Sequence, residues 1–198
     1  MGRIYVFDMG NVIIGEADTY KMYKMSKAEC DYNTFYNLFY KSSFTKNVYE
    51  GIISDDEFFT IIKDKCGIKD SVDYLKRLYL CCKAKAYNDT LAIIRRLKED
   101  GNMICLLSNL KKIDYEYLCS EIDIKMFNRQ FLSYKMGQSK PDNVIYESVI
   151  NELGTNRFYF FDDSSENVLS AQSCGIDAYQ VTGNSIKECF QKKLNYRL

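Results

Sequence analysis

The run Arg3-Ile4-Tyr5-Val6-Phe7-Asp8-Met9-Gly10-Asn11-Val12-Ile13-Ile14 decides how the rest of the chain is read. Ile4, Tyr5, Val6 and Phe7 are β-branched or aromatic and show no polar alternation, the pattern of a strand covered on both faces in a parallel sheet. The run delivers one carboxylate, Asp8, at the carboxyl end of that strand and then turns on Gly10. In an open α/β sheet this edge is where ligands bind, because the strands end there in a crevice lined by loops and helix N-termini. Asp8 is therefore the first candidate functional residue.

Two later segments repeat the pattern of an apolar strand that ends in polar residues. Residues 102–107 run into Ser108-Asn109, and residues 157–161 run into Asp162-Asp163, with Gly137-Gln138-Ser139-Lys140-Pro141-Asp142 between them. From residue 89 onward the spacing predicts alternating helices and strands. Asp89 or Thr90 caps a helix whose Leu91, Ile94 and Leu97 face the sheet, and Gly101 closes it. Further helices are expected at 111–119, 142–153, 165–174 and 185–194, and strands at 129–134 and 177–182.

The stretch from 16 to 86 does not follow this rhythm and reads as helix throughout. Tyr20, Tyr23, Phe35, Leu38 and Phe39 fall at inward positions of helices over 18–28 and 31–41. Ser54 and Glu57 form a capping box before Phe58, Ile61 and Ile62, and Gly67 ends that helix. A last helix over 69–82 carries Val72, Leu75, Leu78 and Tyr79. The expected architecture is a Rossmann-like parallel sheet core in three α/β/α layers, residues 1–15 and 87–198, interrupted by an inserted α-helical cap, residues 16–86.

Composition narrows the function classes. The chain has 198 residues, 46% of them hydrophobic, enough to bury a core. Lys plus Arg and Asp plus Glu number 27 each, so no global field draws in nucleic acid or an anionic membrane. No apolar run reaches the length of a transmembrane helix and no signal peptide is visible, which points to the cytoplasm. The eight cysteines contain no C-x-x-C pair and read as reduced core residues. Histidine is absent, which excludes Ser-His and Cys-His pairs and every His-ligated metal. Catalysis must then use carboxylates, Lys, Ser, Tyr or a hard metal ion.

An early Asp, a Ser-Asn after a strand, a Lys-Pro before a helix and a Phe-Asp-Asp-x-x-x-Asn resemble, in that order, the four motifs of the haloacid dehalogenase superfamily. The resemblance covers nearly the whole chain and is greatest to the small sugar-phosphate phosphatase branch. It implies a Mg2+-dependent phosphatase that hydrolyses a small-molecule phosphate ester through an aspartyl-phosphate on Asp8. A carboxylate is already ionised at neutral pH and is a competent nucleophile, provided that cations and fixed donors remove its repulsion from the phosphate.

In that scheme Asp8, Asp163 and the Gly10 carbonyl hold Mg2+, an ion that favours oxygen ligands. The family pattern gives Asp162 a supporting role, orienting Lys140. Ser108 and the Asn109 backbone amide bind phosphate oxygens, and Lys140 neutralises both the phosphate and Asp8. Pro141, the only proline, holds Lys140 in an extended conformation and suits the first turn of the next helix. Read singly, Asp162-Asp163 also suits a helix cap, Ser108-Asn109 a turn, and Lys140 a solvated helix start.

One departure stands out. Most phosphatases of the superfamily carry a second Asp two residues after the nucleophile as general acid and base, where this chain has Gly10. Glu16 and Asp18 are the nearest candidates to replace it. The departure also keeps open a second reading, a catalytically weak phosphate-binding regulatory homologue. A dehalogenase fits less well, because dehalogenases of the superfamily resemble Asp-x-Tyr at the first motif.

Overall fold

The computed structural model describes residues 2–196; Met1, Arg197 and Leu198, which the expected core ranges include, lie outside the described residues. Strand β1 (Ile4–Phe7) is followed by helices α1 (Thr19–Ser26), α2 (Tyr32–Tyr40), α3 (Ser43–Tyr49), α4 (Asp55–Lys65) and α5 (Val72–Cys81). Helix α6 (Asn88–Glu99), β2 (Met103–Ser108), α7 (Lys112–Glu121), β3 (Arg129–Leu132) and the one-turn α8 (Ser133–Met136) come next. The chain closes with α9 (Asn143–Leu153), β4 (Tyr159–Asp162), α10 (Ser165–Ser173), β5 (Asp177–Gln180) and α11 (Ile186–Lys192).

The strands form one sheet in the order β3-β2-β1-β4-β5, with every neighbouring pair parallel. Alternation along each strand separates its side chains into two cores. Tyr5, Phe7, Leu106 and Phe161 pack on one face with Leu97 of α6 and Phe190 of α11. Val6, Cys105, Leu107 and Phe160 pack on the other with Ile145 and Val149 of α9 and Ala171 of α10. Both faces are therefore covered, as the unbroken apolar run of β1 requires. The Phe161 ring lies 5.0 Å from both Phe7 and Phe190, and truncating it would cost about 3–5 kcal/mol.

Helices α1–α5 share a separate apolar cluster in which Phe35, Phe39, Phe58, Phe59, Ile62 and Leu75 are fully buried. Their N-termini are capped by Asp18, Asp31, Ser42, Ser54 and Ser71, and Ser54 and Glu57 form the reciprocal capping box read from the sequence. The two chain segments that join these helices to the sheet run side by side: Gly15 N donates to Lys85 O and Ile14 bridges Ala86. A Cβ on Gly15 would come within 2.9 Å of the Ala84 Cβ, so this close approach needs glycine.

Several local expectations change. Tyr20 is not inward but 54% exposed, and Met22 takes the buried position on α1. Helix α3 lies within the stretch read as helix but is not delimited by it, because Ser43, Thr45 and Asn47 are weak helix formers; Ser42 caps it and Val48 packs into the cluster. Neither Asp89 nor Thr90 caps α6; Tyr87 stands at the N-cap and the Thr90 hydroxyl donates instead to Val12 O. The strand expected over 129–134 ends at Leu132, where Ser133 begins α8 and hydrogen-bonds Leu110. Pro141 precedes the N-cap Asp142 of α9 rather than occupying its first turn, and its peptide bond with Lys140 is cis.

Candidate active site

The strand order reverses beside β1: the chain steps outward through β2 and β3, then returns to pair β4 on the opposite side. The carboxyl ends of β1 and β4 thus meet at the switch point where open sheets form their crevice. Asp8 follows β1 and remains tied to β4 through its N–H, 2.8 Å from Phe161 O. Asp162 ends β4 and Asp163 follows it.

Lys140 comes to this edge from the loop before α9. Its ammonium donates to Asp8 Oδ1 at 2.8 Å, Asp162 Oδ2 at 2.6 Å and Leu107 O at 3.1 Å. Asn109 aims it: the Asn109 amide donates to Lys140 O at 2.7 Å and accepts from Lys140 N at 2.8 Å. Asp162 is fully engaged, since it also accepts from Ser164 N and from the Asn167 side chain. Asp163 by contrast has one side-chain donor among the described residues, Asn11 Nδ2 at 3.2 Å, and keeps lone pairs that none of them fills.

These surroundings set the charges. Burial pushes the Asp8 carboxyl up to about 6 and Asp162 adds to the effect, while Lys140 and Ser108 hold it down. Burial draws Lys140 down, but Asp162 and Asp8 outweigh it and leave the ammonium raised above its ordinary value. Burial also raises Asp163, against the Asn11 hydrogen bond. Three acids around one ammonium leave the edge two charges negative.

The donor set suits a hard divalent cation. One carboxylate oxygen from each of Asp8, Asp162 and Asp163 lies within 4.8 Å of the others. Asp162 is saturated by its donors, which leaves Asp8 and Asp163 as carboxylate ligands. The Gly10 carbonyl accepts no hydrogen bond among the described residues. An all-oxygen set without His or Cys matches Mg2+.

A cavity of about 320 Å3 opens over these groups, lined by Asp8, Gly10, Asn11, Glu16, Asn109, Lys140 and Asp163 on this side. Ser108 is buried beside Asp8 but does not line it. Glu16 lines it, with Oε1 accepting from Asn11 Nδ2 at 3.3 Å, whereas Asp18 accepts from Lys21 N as the cap of α1 and lies off the wall. Gly10 has no left-handed φ, and a Cβ there would meet only Asp8 Oδ2, at 3.8 Å. A larger cleft of about 610 Å3 beside α4, α5 and α7 shares none of these residues.

Several site residues carry no signal in the sequence. Asn11, in the left-handed region at φ 53°, links Glu16 to Asp163 and accepts from the Tyr87 hydroxyl. An Asn after a Gly suggests that turn, but not its partners. Thr19, Tyr36, Tyr40, Tyr49 and Tyr79 from the helices, with Lys83 and Asp114, complete the cavity wall, and no linear motif joins them.

The family model of haloacid dehalogenase-like hydrolases matches residues 3–175. Among curated proteins, a D-ribitol-5-phosphate phosphatase of Bacteroides thetaiotaomicron is 25% identical over 187 residues, covering 88% of this chain and 89% of its own. A sesquiterpene phosphatase of Aspergillus oryzae is 29% identical over 103 residues, half of this chain and 52% of its own. A crystal structure of a B. thetaiotaomicron enzyme of the same superfamily, complexed with magnesium and inorganic phosphate, superposes with a TM-score of 0.77 at 23% identity, covering 92% of this chain and 96% of its own. A hydrolase of this type from Porphyromonas gingivalis gives 0.80 at 21% identity, with both chains fully covered.

Proposed function

The chain belongs to the haloacid dehalogenase-like hydrolases, and from that premise we propose that it is a Mg2+-dependent phosphatase of a small phosphorylated metabolite, sugar phosphates among them. The observation that carries this reading is the Lys140 ammonium held between Asp8 and Asp162, with Asp163 beside them, at the floor of one cavity. The relative that hydrolyses ribitol 5-phosphate supports the substrate class.

Asp8, Asp163 and the Gly10 carbonyl would hold a magnesium ion, which when bound would supply positive charge against the repulsion between the phosphate and the carboxylates. Asp8 Oδ2, the oxygen not bonded to Lys140, attacks phosphorus as the bond from phosphorus to the ester oxygen breaks; the alkoxide departs and takes its proton from solvent, leaving an aspartyl-phosphate. Lys140 offsets the phosphoryl charge, and the Asn109 backbone amide donates to it, with Ser108 holding Asp8 from below. Water then opens the acyl phosphate, releasing inorganic phosphate and restoring Asp8. Asp162 acts by fixing Lys140. Helices α1–α5 act as a cap whose tyrosines close the cavity and exclude water. The eight free cysteines fit a reducing cytoplasm.

Gly10 favours slow turnover. Without an acid at that position the leaving oxygen departs with little protonation, and a placed proton donor is worth about 10² to 10⁴ in rate. Aryl and anomeric phosphates should therefore outpace alkyl phosphates. The test is hydrolysis of p-nitrophenyl phosphate with Mg2+ and then with excess EDTA. Turnover that vanishes with the metal is the expected result; turnover that persists in EDTA would overturn the metal-dependent reading, and none under either condition would favour the regulatory, phosphate-binding alternative.

A further inference from the structure

The cavity above Asp8 has a second charged wall that the proposed chemistry leaves unused. Asp114 Oδ1 lies 2.7 Å from Lys83 Nζ and accepts from the Tyr79 hydroxyl at 2.6 Å. Its Oδ2 lies 3.2 Å from Lys111 Nζ and accepts from Lys111 N at 3.0 Å. Each oxygen thus meets two donors, and the carboxylate has no acceptor capacity left for a ligand. Two ammonium groups against one carboxylate leave the cluster one charge positive.

The two lysines differ in what they face. Lys111 is enclosed by the rings of Tyr49, Phe58 and Tyr79, whose centroids lie 4.9, 5.4 and 4.9 Å from its nitrogen, and it does not line the cavity. Lys83 does line it, with Asp114 as its one carboxylate partner. An ammonium has three protons to donate, so Lys83 keeps donors free for a ligand. Tyr49 lines the same wall, and no hydrogen bond of its hydroxyl is found among the described residues. Tyr49 lines the same cavity as Asp8 and Lys140 as well as Lys83 and Asp114. Burial raises the Tyr49 phenol above its ordinary value, so it stays a donor at neutral pH.

We propose that this wall is a recognition subsite for a carboxylate at the end of the substrate far from its phosphate, read by Lys83 with the Tyr49 hydroxyl as second donor. The preferred substrates are then phosphorylated hydroxy acids rather than phosphorylated polyols. The inference rests on the phosphatase reading above, because it needs the phosphate anchored at Asp8 and Lys140. The one carboxylate of this wall has its lone pairs filled, and its free charged group is the Lys83 ammonium, a donor only. A polyol brings a proton on every hydroxyl and needs acceptors for them; a carboxylate brings acceptors only. A surplus of one positive charge matches a monoanion, whereas a second phosphate would bring about two negative charges at neutral pH. Glu16, the cavity carboxylate that would repel such a group, is tied through Asn11 to Asp163 and so stands at the phosphate end. Asp114 and Lys111 act as positioning residues for Lys83.

The test compares kcat/KM for ribonate 5-phosphate and ribitol 5-phosphate, which differ only in a terminal carboxylate against a hydroxymethyl group. The wild-type protein should favour the ribonate ester by about tenfold or more, the scale of a hydrogen bond to a charged group. Lys83→Gln should bring the ratio near unity through KM. Tyr49→Phe, which removes no hydrogen bond of the fold and leaves the Lys83–Asp114 pair in place, should lower the ratio by about threefold and decides the matter if Lys83→Gln does not fold. Equal use of the two esters, preference for ribitol 5-phosphate, or an unchanged ratio in folded Lys83→Gln would overturn the subsite. Wild-type turnover of p-nitrophenyl phosphate, which has no distal acid, separates the two levels: with it present, those results remove the subsite alone; with all three esters inert, the phosphatase reading goes and the subsite with it.

Discussion

Two lysines, Lys140 and Lys111, are buried to nearly the same degree, at 4% and 1% exposure, in clusters of opposite net charge. Lys140 stands between two carboxylates with a third nearby, and Asp163 retains lone pairs that none of the described residues fills. Lys111 shares a single saturated carboxylate with a second lysine and is ringed by aromatic faces. A buried ion pair says little about function in itself, because desolvation offsets much of its attraction. What distinguishes the two clusters is the sign of the unbalanced charge and which polar atoms remain unsatisfied. The first has surplus negative charge and open oxygens, suited to a cation and a phosphate; the second has surplus positive charge and open N–H donors.

The largest effect that would break this contrast lies at Asp8. Asp8→Asn should lower phosphatase turnover by about 10⁴-fold or more, because the amide cannot attack phosphorus. Its stability should change by less than about 1 kcal/mol, since Lys140 keeps Asp162 as a partner. Steady-state kinetics and urea unfolding on the same sample check both parts, and substantial turnover in Asp8→Asn would remove the nucleophile from the scheme.

Asp114→Asn should behave in the opposite way. It leaves Lys111 buried without a carboxylate and should cost about 3–5 kcal/mol in urea unfolding. The pH dependence sharpens the point. Burial pushes the Asp114 carboxyl up, but Lys111 and Lys83 outweigh it and hold it well below its ordinary 3.8. A depressed folded-state value means that its stabilisation is present above the ordinary value and is lost as pH falls through the folded one. Wild-type unfolding free energy should therefore decline below about pH 4 with a component that Asp114→Asn lacks; parallel curves would contradict it.

A smaller change should come from adding to the phosphate side the acid it lacks. The room beside Gly10 and its ordinary φ allow Gly10→Asp to fold. The variant should hydrolyse alkyl phosphates about tenfold faster and aryl phosphates with little gain. An equal gain for both would show that proton transfer does not limit the reaction. The smallest effect belongs to Asp18→Ala, which should lose about 1 kcal/mol of stability through the missing helix cap and keep its turnover. A large loss of turnover there would bring Asp18 back as the proton-transfer group in preference to Glu16.

That Asp8, Lys140, Asp162 and Asp163 would share one sheet edge was legible in the sequence because these residues stand at or beside the ends of elements with strong local signatures. Asp8 and Asp162-Asp163 end apolar strands, Ser108-Asn109 ends another, and the single proline marks Lys140. The sheet itself was legible for the same reason, since an unbroken apolar run has few ways to be buried. The positive cluster was not. Lys83 follows a helix of the inserted region, Lys111 and Asp114 begin α7, and Tyr49 ends α3, a helix whose weak formers left it undelimited. Tyr20 shows the complementary failure: helical spacing put it inward, yet Met22 is buried and Tyr20 is exposed, packed at the outer side of the half-buried rings of Tyr23 and Tyr32.

The order of residues by itself determined the parallel sheet, the place of Asp8 at its carboxyl edge, the capping box of α4 and the exclusion of histidine chemistry. Those properties depend on local periodicity and on residue type, which neighbouring positions carry. Only the tertiary structure decided that Asn109 would clamp the Lys140 backbone from 31 positions away, and that Asp114 would join Lys83 to Lys111. It also decided that Lys83 would line the cavity. Those are matters of distance between distant segments, and electrostatic and hydrogen-bond energies depend on separation in space, burial and direction, none of which is local in sequence.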